Sequence, residues 1–455
     1  MVEPAKRVDT TLPPLAGARV GVWGFGREGR AVTGTAIDRG AAEVIVIDSG
    51  VIDLDVSGDD FGCEVQLLSG DEHLNRFLDC DVVFLSPGVP WVHPVLAELR
   101  AAGVPMSSAT DLFLATEADR TIGVTGTKGK STTASFLAHA LTRLGRNALV
   151  AGNIGLPLLE VPDDPEQIVV AEMSSQQCAV LQHSPRIAVV TNLGEDHLNW
   201  HGSVDAYVRA KAEIFARGTE ILICDSAALT QLRDLSEPSI EFPATVVTED
   251  AIIDRWPASA EINPLSPMIY PHNRANGQLA VLAIEVLLGR RLSTAEIVDA
   301  IDTFSALPHR LELVAQTGGK LWIDDSLATT AESVVVALAA MPAEKSVAVI
   351  VGGFDRGISY AELDEYLLSG VPNVHLVQIP SNGPRIGERF AAEHSSRVHA
   401  ADDLAAAVRL ASGLDVDVVL LSPGAPSYDF YRNFEEKSAA FTRAVDDVSA
   451  ADGSR

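Results

Sequence analysis

Short runs of valine, isoleucine and leucine punctuate the chain, each closed by Gly, Ser or Asp and followed by a stretch with apolar residues at helical spacing. The runs predict strands at residues 19–23, 44–47, 82–85, 121–125, 168–171, 187–191, 221–224, 346–351 and 418–421. Near-continuous apolar strands alternating with helices imply parallel sheets covered on both faces, because each crossover helix shields one face from water. The fold class is therefore α/β. The polar stretch 116–120 precedes a new strand and a glycine-rich loop, and Leu307-Pro308-His309-Arg310 ends a helical pattern, which divides the chain into domains 1–116, 117–306 and 307–455. The small, acidic tail 445–455 is expected to be mobile.

Composition narrows this only slightly. With 455 residues the chain is long enough for about three domains, each with its own core. Its 34 basic and 62 acidic residues give a formal charge of −28, which disfavours a general binder of nucleic acid or anionic membrane while leaving room for a basic pocket inside an acidic shell. Cys63, Cys80, Cys178 and Cys224 show no CxxC spacing, so reduced, buried thiols of a cytoplasmic protein are expected. Residues 1–11 carry no apolar leader core, and no apolar run reaches the roughly 18 residues of a membrane span.

Candidate chemistry begins at Gly126-Thr127-Lys128-Gly129-Lys130-Ser131-Thr132, which follows an apolar strand and opens a helix with Phe136, Leu137, Ala140, Leu141 and Leu144 on one face. Glycines let amides turn onto phosphate oxygens, the helix N-terminus adds positive potential, Lys130 reaches the β- and γ-phosphates and Ser131 ligates Mg²⁺, so the segment reads as an ATP site. Val124 stands where the general P-loop has its first glycine. A second glycine loop, Gly24-Phe25-Gly26-Arg27-Glu28-Gly29, follows the first strand, with Asp48 ending the next where a ribose-binding acid belongs; it suits a nicotinamide enzyme and a nucleotide-diphosphate binder equally.

Glu172 and His197 follow strands whose C-terminal ends converge on the crevice of a parallel sheet, where they would face a metal–phosphate cluster near Lys130. By itself His197 reads as a loop histidine and Lys211 as a solvated lysine. Asn273 and Asn276 share a helix face at i, i+3. Strands end at Asp324-Asp325-Ser326, Gly352-Gly353-Phe354-Asp355-Arg356 and Ser422-Pro423-Gly424, which suggests a third ligand-facing crevice.

In chain order the ATP loop, Gly152-Asn153-Ile154-Gly155, Glu172-Met173-Ser174-Ser175, Glu195-Asp196-His197-Leu198, Ala210-Lys211-Ala212, His272-Asn273-Arg274-Ala275-Asn276, Leu307-Pro308-His309-Arg310 and Asp325-Ser326 resemble the Mur ligases of peptidoglycan synthesis over nearly the whole chain. The resemblance implies a Rossmann-like N-terminal domain, a central P-loop ATPase-like domain with a parallel or mixed sheet, and a Rossmann-like C-terminal domain. The short first domain and Ser422-Pro423 with Asn433-Phe434-Glu435 resemble the branch that adds glutamate to UDP-N-acetylmuramoyl-L-alanine. It implies ATP contacts from the loop 126–132 and from Asn273, Asn276, Arg310 and Asp325. It implies two Mg²⁺ ions on Ser131, Glu172, His197 and a carbamylated Lys211, with Lys130, Lys211 and His197 as the catalytic set, and nucleotide-sugar contacts from Gly26, Arg27, Glu28, Ser49, Ser86, Pro87, Gly88 and Asn153.

Leu327, Arg356 and Pro426 stand where the D-glutamate enzymes have other residues, and with Trp23-Gly24-Phe25-Gly26-Arg27-Glu28-Gly29-Arg30 and Ser381-Asn382-Gly383-Pro384-Arg385-Ile386 they resemble a branch that adds L-glutamate and leaves inversion to a separate epimerase. Thr329, Arg356, Ser427, Tyr428 and Phe434 are the expected lining of the amino-acid pocket, with Arg356 on a carboxylate. The same ligation with D-glutamate is the alternative. A NAD-dependent oxidoreductase is more distant, since it leaves Lys130 and Lys211 without work, and a nucleotide-driven switch is a third reading. Small-molecule substrates, a monomer, and no nucleic-acid or membrane partner complete the expectations.

Overall fold

The computed structural model of the chain describes residues 13–50, 63–90, 93–235, 240–258, 261–263, 266–342, 344–370 and 373–453. The segment 1–11, read for a leader, and the last two residues of the acidic tail lie outside them. Among the described residues the strands form three sheets, as an α/β chain of this length demands.

The first sheet holds β1 (Arg19–Trp23), β2 (Glu43–Asp48), β3 (Glu64–Ser69), β4 (Val82–Leu85) and β5 (Met106–Ser107) in the order β3-β2-β1-β4-β5. All its pairings are parallel, with Val22 facing Val46 on one side and Phe84 on the other. Helices cover both faces, which is why nearly every side chain of β1 and β4 is buried. Strand order reverses between β1 and β4, and a crevice opens beyond their C-terminal ends, between the loops that start at Gly24 and Ser86.

The second sheet, also parallel, comprises β6 (Thr121–Thr125), β7 (Ala148–Gly152), β8 (Ile168–Glu172), β9 (Ile187–Val190), β10 (Ile221–Cys224) and β11 (Thr245–Thr248), ordered β11-β10-β9-β6-β8-β7. Because β6 lies between β8 and β9, the residues following Thr125 and Val190 emerge beside Glu172, the last residue of β8. The third sheet contains β12 (Glu312–Thr317), β13 (Lys320–Asp324), β14 (Val347–Val351), β15 (Val374–Gln378), β16 (Val398–Ala400) and β17 (Val418–Leu421) in the order β12-β13-β17-β14-β15-β16. Only its edge strand β12 runs antiparallel, against β13. The first two sheets belong to one compact unit, the described residues of Met1–Pro264 and His272–Thr303; the third belongs to a second, those of Leu265–Pro271 and Phe304–Arg455.

One expectation is overturned. The tail expected to be mobile from residue 445 is instead the end of a helix, Phe434–Gly453, whose Phe441, Ala444 and Val445 are buried against Trp322, Val419 and Leu421. Its alanines and short polar residues hide a narrow apolar stripe. The four cysteines are free, and burial pushes the thiols of Cys80, Cys178 and Cys224 up to about 12, 11 and 12, so they are inert at neutral pH. Among the described residues no helix is long and apolar enough to cross a membrane.

Candidate functional site

The turn from β6 into the helix Lys130–Arg143 is built on two glycines. Gly126 has φ 149° and a Cβ there would stand 1.9 Å from the Thr191 hydroxyl; Gly129 has φ 80° and a Cβ would meet Asn276 Oδ1 at 2.2 Å. Only glycine lets the chain pass so close to its neighbours in a left-handed conformation. Val124, at the missing first glycine of the general P-loop, is a fully buried β6 residue. From β9, Asn192 clasps the loop: its Oδ1 accepts from Lys128 N at 2.9 Å, and its backbone carbonyl accepts from Thr127 N at 2.8 Å.

Two ammonium groups converge on this turn. Lys130 Nζ donates to the carbonyls of Gly126 and Thr127 at 2.9 and 3.0 Å. Lys211, on the helix Val204–Ala212, donates to Gly126 O at 2.7 Å and is 1% exposed, so it is no solvated surface lysine. Burial, then the charge of Lys130, pull its amine down to about 7. Tyr207 was missed by sequence reasoning: one turn before Lys211, it lays its ring 4.8 Å from that ammonium and donates its hydroxyl to Thr127 Oγ1 at 3.0 Å.

Glu172 is buried at the end of β8. Its Oε1 accepts from Asn153 Nδ2 at 2.8 Å, while Oε2 is buried with no hydrogen-bond partner. An orphaned carboxylate oxygen beside a phosphate-type loop is costly unless a cation satisfies it, so the donor set fits a hard divalent ion. His197 sits at φ 50°, its ring half exposed and 3.8 Å from Asp196 Oδ2. A cavity of about 320 Å³ brings Lys130, Lys211, His197 and Asn153 together with Pro87 and Gly88 of the first sheet. Asn273 and Asn276 are buried in the first turns of the helix Pro271–Leu288, with Asn276 packed on Gly129.

A larger cavity of about 570 Å³ lies in the β1–β4 crevice, lined by Gly26, Arg27, Glu28, Ser49, Ser86, Pro87 and Gly88. Every nucleotide-sugar residue expected from the sequence lines one or other of these cavities. Asp48, however, spends its carboxylate on the backbone: Oδ2 accepts from Phe25 N at 2.7 Å and Oδ1 from Gly50 N at 2.7 Å. It shapes its own loops and at the same time lines the cavity. Arg27 likewise points its guanidinium at carbonyls of the second sheet's loop 152–155.

In the second unit, Asp325 is half-buried and accepts from Ser422 Oγ at 2.8 Å; desolvation pushes its carboxyl up to about 7. Arg310 is among the charges that oppose that rise. Arg356 donates to the carbonyl of Thr329 at 2.6 Å, Ser427 Oγ is buried without a partner, and Phe434 packs edge-on against His309 at 5.4 Å. Tyr428 is largely exposed. His309, Glu312 and Asp324 have the spacing of a metal site, yet their donors and acceptors satisfy one another: His309 Nδ1 lies 3.0 Å from Asp324 Oδ2 and His309 N donates to Glu312 at 2.8 Å.

Comparison with known proteins agrees with this layout. Residues 124–246 match the Mur ligase middle domain. The chain is 38% identical to a UDP-N-acetylmuramoyl-L-alanine–L-glutamate ligase of a Micromonospora strain, covering 96% of this chain and 98% of that one. It is 36% identical to the protein of the same name from Salinispora tropica, over 96% and 99% of the two chains. Among solved structures, the UDP-N-acetylmuramate–alanine ligase of Thermotoga maritima superposes with a TM-score of 0.55 at 19% identity, covering 95% of this chain and all of that one. The MurF ligase of the same organism, in complex with ADP, does so at 0.55 and 17%, over 94% and 95%. At these levels of identity and coverage, the chain belongs to the Mur ligase family of enzymes.

Proposed function

We propose that this protein is an ATP-dependent ligase that joins glutamate, with L-glutamate favoured, to UDP-N-acetylmuramoyl-L-alanine through an acyl phosphate. The observation that carries the reading is the cavity in which Lys130, Lys211, His197 and Asn153 meet Pro87 and Gly88, because a ligase of this kind needs its lysines and histidine beside the crevice of the first sheet. The names of the relatives support the substrates.

In this reading the substrate carboxylate attacks the γ-phosphorus of ATP, giving an acyl phosphate and ADP. The glutamate amine then attacks the acyl carbon, loses its proton, and the tetrahedral intermediate expels phosphate. Such transfers need alignment and charge neutralisation more than a side-chain nucleophile. Lys130 and the amides of 126–132 neutralise the phosphates, with Asn273, Asn276, Arg310 and Asp325 on the nucleotide. Two Mg²⁺ ions, held by Ser131, Glu172, His197 and Lys211, would offset the developing negative charge. The environment of Lys211 favours its neutral amine, the form that adds CO₂ and releases a proton to become a carbamate. Thr329, Arg356, Ser427, Tyr428 and Phe434 receive the amino acid. The three sheets correspond to three substrate modules, cut near 117 and 307. The enzyme works in the cytoplasm as a monomer, and a separate epimerase inverts the added L-glutamate.

The test is phosphate release by the purified protein with ATP, Mg²⁺ and UDP-N-acetylmuramoyl-L-alanine, run with L- and with D-glutamate. Turnover with L-glutamate alone is expected. Turnover with D-glutamate alone keeps the ligase and sinks the assignment of Leu327, Arg356 and Pro426; none with either isomer sinks the ligase.

A further inference from the structure

Arg27 and Glu28 sit in the glycine loop of the first sheet, at the position expected to hold a nucleotide-sugar, yet both reach into the second sheet. Arg27 Nη2 donates to Gly152 O at 2.7 Å and Asn153 O at 3.1 Å, and Nη1 donates to Gly155 O at 3.0 Å. Glu28 Oε1 accepts from Gln177 Nε2 at 2.6 Å. These contacts land on the two segments that flank Glu172. On one side, Asn153 donates Nδ2 to the carboxylate and its own N–H to Glu172 O, the latter at 2.9 Å. On the other, Gln177 closes the capping box with Ser174, two residues beyond Glu172.

A guanidinium presents a rigid fork of donors, so one side chain fixes the carbonyls of three residues at once. A carboxylate that ligates a metal is oriented by the groups bonded to it and to its neighbours. We propose that Arg27 and Glu28 are positioning residues for Glu172, acting through the loop 152–155 and through Gln177, and that Arg27 is not a direct ligand of the nucleotide-sugar. Seating of that substrate on the glycine loop is thereby mechanically tied to the carboxylate that meets the metal. The inference rests on the ligase reading in taking Glu172 as a metal ligand.

The experiment uses the full chain and two readouts without turnover. Calorimetry without ATP or metal gives the affinity for UDP-N-acetylmuramoyl-L-alanine, and electron paramagnetic resonance with ADP gives the affinity for Mn²⁺. For Arg27→Met the Mn²⁺ affinity should fall about tenfold or more, the usual consequence of losing an outer partner of a metal ligand, with substrate affinity changed by less than about twofold. Arg27→Lys keeps the charge but loses the fork, and carries the same test should the methionine variant fail to fold; Glu28→Gln tests the second latch. A loss in Mn²⁺ affinity at least about fivefold greater than the loss in substrate affinity upholds the proposal. Any smaller ratio overturns it. Wild-type protein that releases no phosphate with its substrates sinks the ligase reading instead, so the two failures are distinct.

Discussion

Single residues in this molecule are set by what surrounds them more than by what precedes them in the chain. Lys211 reads as a surface lysine until the fold buries it on Gly126 O, and the partners of Arg27 lie 125 to 128 residues away, beyond any spacing rule. The glycine turn from strand to helix was legible because it is a local device; the contacts of Tyr207 with Lys211 and Thr127 were not, because they depend on the packing of its helix. Asp325 gives a prediction at this scale. Its carboxyl lies near 7 in the folded protein and near 4 when unfolded, so the native state binds the extra proton and stability falls as pH rises through that interval. Asp325→Asn removes the desolvated charge and retains an acceptor for Ser422, so its Tm should exceed wild type by more at pH 8 than at pH 5. A flat or inverted pH trend in calorimetric melts would refute this. The same variant should weaken ATP binding if the ligase reading holds.

At the scale of elements, central strands announced themselves and edges did not. β1, β4, β6, β10, β14 and β17 are buried nearly end to end and coincide with the apolar runs. β3, β12 and β16 lie at sheet edges with half-buried or mixed side chains, and β15 is interrupted by His375, so no run marks them. The end of the helix Phe434–Gly453, from residue 445, was misread for a related reason: one apolar stripe in an alanine- and aspartate-rich segment is a weak signal until Trp322 is seen beneath the helix. Phe441 is fully buried there, and Phe441→Ala should cost roughly 3–5 kcal/mol, read as a shift in urea midpoint. An unchanged midpoint would refute that burial.

The whole molecule carries −28 charges, and like charges held in a compact fold repel one another. Raising NaCl from about 10 to about 200 mM shortens the screening distance from roughly 30 to under 10 Å, so Tm should rise over that range. A fall would mean that attractive ion pairs dominate instead. Under the ligase reading, the turn between β6 and its helix has a consequence for chemotherapy. At Gly126 and Gly129 any side chain would collide with Thr191 or Asn276, and if the ligase reading holds, the turn meets phosphate through backbone amides that no codon change can alter. An inhibitor anchored on those amides would leave a bacterium few routes to resistance, since a mutation that dislodged the drug would break the turn as well.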